Sequence, residues 1–215
     1  MLDVHSPHHP IVTWKEFLVH LGTITIGLLI ALSLEGWVEW MHHRHLVHEA
    51  ESSLHEEIVH NSGNLQAAIT ELRKEEGDLK HDVAVLKQVI RDHKMPAQEH
   101  MEIGFHIQGF DDVSWKTAQE TGALAFMSYD RAKEYAQIYA TQDELAASEH
   151  QAARDAILSL APFMDAQEKD PDPSPEQAAA MIDKIETLQG QLLLVDSLVT
   201  NLDKSYKEFL GKGRE

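Results

Sequence analysis

No cysteine occurs among the 215 residues, which excludes disulfides, thiolate nucleophiles, zinc ribbons and iron–sulfur clusters together. Glycine and proline are scarce, at 11 and 7, and this disfavours a turn-rich all-β fold in favour of long helices. Positive charge is short as well: Lys and Arg number 18 against 36 Asp and Glu, a formal charge of −18. Neutralising phosphates requires a basic face, so no nucleic-acid partner is expected. The chain also has no glycine-rich phosphate loop, no G-x-S-x-G elbow and no H-E-x-x-H pair, leaving no motif that names a reaction. The expectation is a protein that is not an enzyme.

What is present is concentrated near the N-terminus. Mean hydropathy over the chain is −0.33, yet FLVHLGTITIGLLIALSL, residues 17–34, carries no formal charge. As a helix, about 18 residues at about 1.5 Å each approach the ~30 Å hydrocarbon thickness of a bilayer. Trp14 precedes the run, and Trp37 and Trp40 follow it. About 35 Å of helix would separate Trp14 from Trp37, so these three indoles are the expected anchors at the two headgroup layers. Two alternatives are a buried core helix and a cleaved signal peptide with Ala31 and Ser33 before the cut. No other segment is apolar enough to surround a core helix. The positive n-region is weak, and the helical pattern continues through the would-be cleavage point, so an uncleaved anchor is the better reading.

Thr23, Gly27 and Ala31 recur every four residues within the span, lining one helix face with small side chains that permit close backbone approach. Glu35 ends that face, and an ionisable group beside hydrocarbon ordinarily points towards protein. These four residues are the expected packing surface for self-association. Positive charge leaves orientation undecided: Lys15 and the amino terminus on one side face Arg44 on the other.

Beyond the span, no proline occurs before Pro96, and residues 41–92 read as helix with a possible hinge at Asn61-Ser62-Gly63-Asn64. Ile58, Leu65, Leu72, Leu79 and Leu86 are spaced by seven, with Ile69, Val83 and Ile90 in the alternating position and Glu76 interrupting it. Such a stripe demands partner helices. Residues 93–112 lose the helical period, and Ile103, Phe105 and Ile107 alternate there as in a short extended piece. A short helix is expected from Asp112 or Ser114 to about Thr121-Gly122. Ser128 would cap a longer one with Tyr135, Ile138, Gln142, Leu145, Ala152, Ala156 and Leu160 on one face. Residues 165–174 form a Pro-rich linker. Ser174, Pro175 and Gln177 then make a helix start with a capping box. Met181, Ile185, Leu188, Leu192, Val195, Val199, Leu202, Tyr206 and Phe209 follow in alternating steps of four and three, with Gly211 as the expected stop.

Histidine is abundant, at 15. His42, His45, His48 and Glu49 cluster just beyond the span, where i, i+3 and i, i+4 spacing lets pairs share a helix face and, with it, a divalent metal. Glu39/His42 and Glu57/His60 are Glu-x-x-His pairs of the di-iron type, but one continuous helix holds them about 27 Å apart. The more economical reading is a solvated face. Imidazoles beside Glu49, Glu51, Glu56 and Glu57 also suit proton sensing. Trp115, Phe126, Tyr129, Tyr135 and Tyr139 have the spacing of core aromatics.

The runs GLLIALSLEGWVEWMHHRHLVHEAESSLHEEIVHN, residues 27–61, and SWKTAQETGALAFMSYDRAKEYAQIYATQDEL, residues 114–145, resemble a group of bacterial single-pass membrane proteins of unknown function. They share a span ending in a small-residue and Glu-containing turn, a charged His/Arg/Glu helix, and a Trp, small-Gly-x-Leu, Tyr-spaced pattern. The resemblance covers about a third of the chain and transfers no catalytic residue. It implies a membrane-tethered, extracytoplasmic helical domain in the bacterial inner membrane.

The expected architecture is therefore all-α: an N-terminal transmembrane helix continuing into an antiparallel helical bundle or short coiled coil. Its parts are a tail at 1–16, the span at 17–40, a juxtamembrane helix at 41–92, a loop at 93–112, helices at 113–164, the linker at 165–174 and a last helix at 175–210. The expected partners are the lipid bilayer, further copies of the chain, or other membrane and envelope proteins.

Overall fold

A computed structural model describes residues 13–97, 99, 101, 107–166 and 172–212, with the side chains of 159–166 outside that description. Every regular element among them is helical: α1 (Trp14–Asp92), α2 (Val113–Glu120), a 3-10 turn (Ala123–Phe126), α3 (Tyr129–Ala166) and α4 (Pro175–Lys212). The chain divides into two units, residues 1–49 and 50–215.

The first unit contains an 18-residue apolar window of mean hydropathy 2.2, long and apolar enough to cross a membrane, and none of that window is buried. Leu18, Ile24, Ile26, Leu28, Leu29, Ile30, Leu32 and Leu34 are all exposed. The hydroxyls of Thr23, Thr25 and Ser33 donate to the carbonyls of Val19, Leu21 and Leu29 at 2.9, 2.8 and 2.7 Å, so each polar side chain is satisfied within its own helix.

The second unit holds the buried core. The seven-residue stripe of α1 is buried throughout, at Ile58, Leu65, Leu72, Leu79 and Leu86. The line that completes it differs from the expectation in part. Val83 is buried as expected, and so are Leu54, Asn61, Asp82 and Val89, whereas Ile69, Glu76 and Ile90 are half-buried, as are Ala68 and Glu75. The inward face is thus 54-58-61-65-68-72-75-79-82-86-89, in steps of four and three, with three polar residues on it. No hinge interrupts α1 at Asn61-Asn64, because those residues are helical and the Asn61 side chain is fully buried with partners of its own.

Local signals set the other boundaries. Ser174 and Gln177 form the reciprocal capping box, Gln177 N–H to Ser174 Oγ at 3.2 Å and Ser174 N–H to Gln177 Oε1 at 2.8 Å. All nine stripe positions of α4 are buried, each large apolar side chain contributing about 1.5–3 kcal/mol. Gly211 does not stop this helix, which runs to Lys212. Gly122, at φ +76°, ends α2 in the left-handed conformation that glycine adopts without strain. In α3, Tyr135, Ile138, Gln142, Leu145, Ala152 and Ala156 are buried as expected, and Leu160 lies outside the described side chains. Ile103 and Phe105 also lie outside the described residues, Ile107 is exposed, and no strand occurs among those described.

Cross-helix contacts give chain direction. Arg131 meets Glu51 at 3.5 Å and Tyr139 meets Glu57 at 2.6 Å, so α3 advances in the same direction as α1. Helix α4 opposes both: Phe209 lies 5.9 Å from His55, and Gln66 donates to Asp203 at 2.7 Å. The antiparallel expectation therefore fits α4 but not the α1–α3 pair. Between α1 and α2, described residues touch α1 twice, Glu99 meeting His81 at 2.9 Å and the Asp111 carbonyl accepting from Asn61 at 2.7 Å.

Candidate functional site

Two places hold polar side chains where apolar ones would pack better. In the first, Asn61 grips the segment before α2 with both ends of its amide. Nδ2 donates to the Asp111 carbonyl at 2.7 Å, and Oδ1 accepts from the Asp111 N–H at 2.9 Å. Gln142 on α3 donates to the same carbonyl at 3.4 Å. One turn earlier, Glu57 accepts from the Ser114 N–H at 2.7 Å and from the Tyr139 hydroxyl at 2.6 Å. Its carboxylate thus occupies the N-terminus of α2, where N–H groups lack helical partners and the macrodipole favours negative charge. Asp112, the local N-cap residue, makes no side-chain cap bond and instead pairs with Lys116 at 2.6 Å. Trp115 stacks on Tyr139 with centroids 5.0 Å apart and planes 6° from parallel. Burial, reinforced by the bond to Glu57, holds the Tyr139 phenol far above its ordinary range. With its carboxylate engaged twice and its phenol protonated, this network fastens chain segments and offers no free acid–base pair.

The second place is a cavity of about 20 Å³ lined by Ala68, Glu71, Leu72, Glu75, Gln108, Glu149, Val195 and Val199. Glu149 is 3% exposed, and its Oε2 has no hydrogen-bond partner among the described residues. Burial, and secondarily the charge of Glu75, pushes its carboxyl up from 4.5 to about 7.

A larger open cleft of about 430 Å³ lies between the start of α3 and the end of α4. Two of its cations are engaged: Arg131 pairs with Glu51 and Glu134 at 3.5 and 3.3 Å and stacks over Phe209 at 4.9 Å, and Lys212 meets Glu134 at 2.8 Å. Beneath it, burial raises the Tyr135 phenol to about 12.

The residues singled out from the sequence occupy α1 in the first unit. Thr23, Gly27, Ala31 and Glu35 are all exposed, and no atom lies within 4 Å of where a Cβ on Gly27 would stand. Trp14, Trp37 and Trp40 are exposed, with the Arg44 guanidinium 5.5 Å from the Trp40 ring centroid. In the histidine cluster, His45 Nε2 lies 3.2 Å from Glu49 Oε1, while His42 and His48 are exposed beside them. Among the described residues no three His, Asp or Glu side chains gather as a metal site requires. The structure thus brings together one pair of the four expected ligands.

Sequence reasoning placed Glu57 in a Glu-x-x-His pair and Asn61 in a hinge, and it passed over Glu149. The signal for Glu149 was present as a gap: the buried face of α3 steps from Leu145 to Ala152, and residue 149 fills the missing turn. No family model, curated protein or solved structure matches this chain.

Proposed function

We propose that this chain is a bacterial inner-membrane protein with a single span, residues 17–40, whose helical bundle acts by binding, as an assembly, scaffold or sensor subunit, without catalysing a reaction. The carrying observation is the contrast between two sets of apolar residues. The second unit buries a core of leucine, isoleucine, valine and aromatic side chains and leaves others, such as Ile157, Leu158, Leu193 and Leu194, exposed, whereas not one residue of the apolar window in α1 is buried.

Water does not tolerate such a surface, and a bilayer favours it. The run 17–34 holds eleven Phe, Leu, Val and Ile residues, each worth about −0.3 to −0.6 kcal/mol at the centre of a span. The hydroxyls that oppose insertion are already bonded to carbonyls one turn back, as an apolar solvent demands. Exposed Trp14, Trp37 and Trp40 suit the headgroup layers. The exposed face of Thr23, Gly27, Ala31 and Glu35 suits contact with a second copy or with another envelope protein. The binding role is supported by the second unit, where Asn61 and Glu57 are engaged in fastening chain segments and long helices offer surface for a partner. A periplasmic position for the bundle rests on the resemblance to single-pass bacterial proteins.

Alkaline extraction of native membranes tests the anchor: the protein should stay in the pellet, and release into the supernatant refutes the reading. Cross-linking followed by identification of co-purifying proteins tests the binding role, and a reporter fused to the C-terminus reads the orientation.

A further inference from the structure

Glu149 is placed where an apolar residue would be expected. It occupies the inward face of α3 between Leu145 and Ala152, both fully buried, and it borders a cavity of about 20 Å³, which is room for a single water. The groups facing it come from every neighbouring element: Glu71 and Glu75 from α1, the neutral Gln108 from the segment before α2, and Val195 and Val199 from α4. No Lys, Arg or His among the described residues lines this cavity. An ionised carboxylate here would have like charges from α1 on one side, hydrocarbon from α4 on another, and an Oε2 that nothing described solvates. A neutral carboxyl has none of these penalties except the unmet hydrogen bond, which one water can supply.

We propose that Glu149 is a proton-operated latch at the middle of the helical unit. Neutral, it lets α1, α3 and α4 close over the cavity; ionised, it draws water in and loosens their contacts around Leu72, Leu145 and Val195. The ligand is a proton. The device is separate from the juxtamembrane histidines, and it does not depend on the membrane-anchor reading, because every group involved lies in residues 50–215. Burial and the Glu75 charge set its operating range near pH 7, so ordinary shifts of pH would work it.

The test uses the full chain in lipid nanodiscs between pH 5.0 and 8.5. Thermal unfolding and amide exchange, corrected for the intrinsic pH dependence of exchange, are compared for the wild type and Glu149→Gln, whose amide imitates the neutral carboxyl. In the wild type, Tm should fall by about 5–10 °C relative to Glu149→Gln as pH rises through 7, and exchange in the peptides covering Leu72 and Leu145 should accelerate. Because the fifteen histidines are common to both proteins, the difference isolates Glu149. Glu75→Gln removes a like charge and should move the wild-type transition to lower pH. Identical pH profiles for wild type and Glu149→Gln would overturn the proposal. So would a Glu149 side-chain carboxyl carbon resonance, followed in the wild-type protein, that titrates below pH 5. That last measurement needs no variant to fold.

Discussion

Replacing Asn61 with Ala separates two accounts of the same residue by sign. If residues 61–64 formed a hinge, alanine would stiffen it and stabilise the helix, since Ala exceeds Asn in helix propensity by about 0.6 kcal/mol. The structure requires the reverse. Asn61 is fully buried, and its amide makes two short bonds to the Asp111 backbone. Its removal deletes both and strands a part-buried N–H, while the carbonyl keeps only the 3.4 Å bond from Gln142. Two ordinary hydrogen bonds are worth about 0.5–1.5 kcal/mol each, and an unsatisfied buried donor costs about 1–3. After allowance for the propensity gain, Asn61→Ala should destabilise the second unit by about 2–3 kcal/mol. Chemical denaturation followed by helical circular dichroism gives the number, and amide exchange at residues 107–115 should rise in the folded state, because that segment loses its tether. Asn61→Asp retains an acceptor for the Asp111 N–H and loses the donor, so it should keep part of the exchange protection. A neutral or stabilising Asn61→Ala would refute the tether and restore the hinge.

Four further outcomes are expected. Ser174→Ala removes the acceptor that caps α4 and should lower stability by about 1 kcal/mol, measured by denaturant melts, with Ser174→Asn close to wild type. Gly27→Leu should abolish cross-linked dimers in membranes if the small-residue face is the contact, and unchanged dimers would show that it is not. For Glu149, whose folded pKa of about 7 lies above 4.5, the folded state binds more protons, so the stabilisation is complete below about pH 4.5 and lost as pH rises through 7. At about 1.36 kcal/mol per pKa unit the loss is about 3 kcal/mol, readable as the pH slope of the unfolding free energy. Protein purified without an affinity tag should carry less than stoichiometric Zn, Cu, Ni or Fe by elemental analysis, and one metal per chain that disappears in His45→Gln would establish a site at His42, His45, His48 and Glu49.

The helices were legible in the sequence because their signals are local. Capping chemistry at Ser174 and Gln177, the left-handed turn at Gly122 and the unbroken four-three stripe of α4 depend on neighbours within a few residues, and each lies where spacing put it. Helix direction was not legible. Nothing in the composition of residues 93–112 says that Glu99 meets His81 and Asp111 meets Asn61, and without such contacts the co-directional placement of α1 and α3 cannot be deduced. The fact that fixes it, Asn61 holding Asp111, joins residues fifty positions apart.

The polar network was hidden by the very rule that exposed the core. Hydrophobic periodicity counts apolar side chains, so on α1 it assigned the second inward line to Ile69, Val83 and Ile90 and treated Asn61 as a breaker. Val83 is buried as assigned, but steps of four and three also bring Leu54, Asn61, Ala68, Glu75, Asp82 and Val89 inward, with polar and small residues between Leu54 and Val89. A chain that places Asn, Glu and Asp on a buried face gives up some burial free energy there. In return, only one register of α1 against α3 and the segment at Asp111 lets Asn61 reach Asp111 and Glu57 reach both Ser114 and Tyr139; sliding α1 by one heptad would keep the leucines packed and leave those groups unpaired. The polar positions therefore specify the arrangement that the apolar ones merely permit. That is why the features most informative about this molecule are those a hydrophobic count passes over.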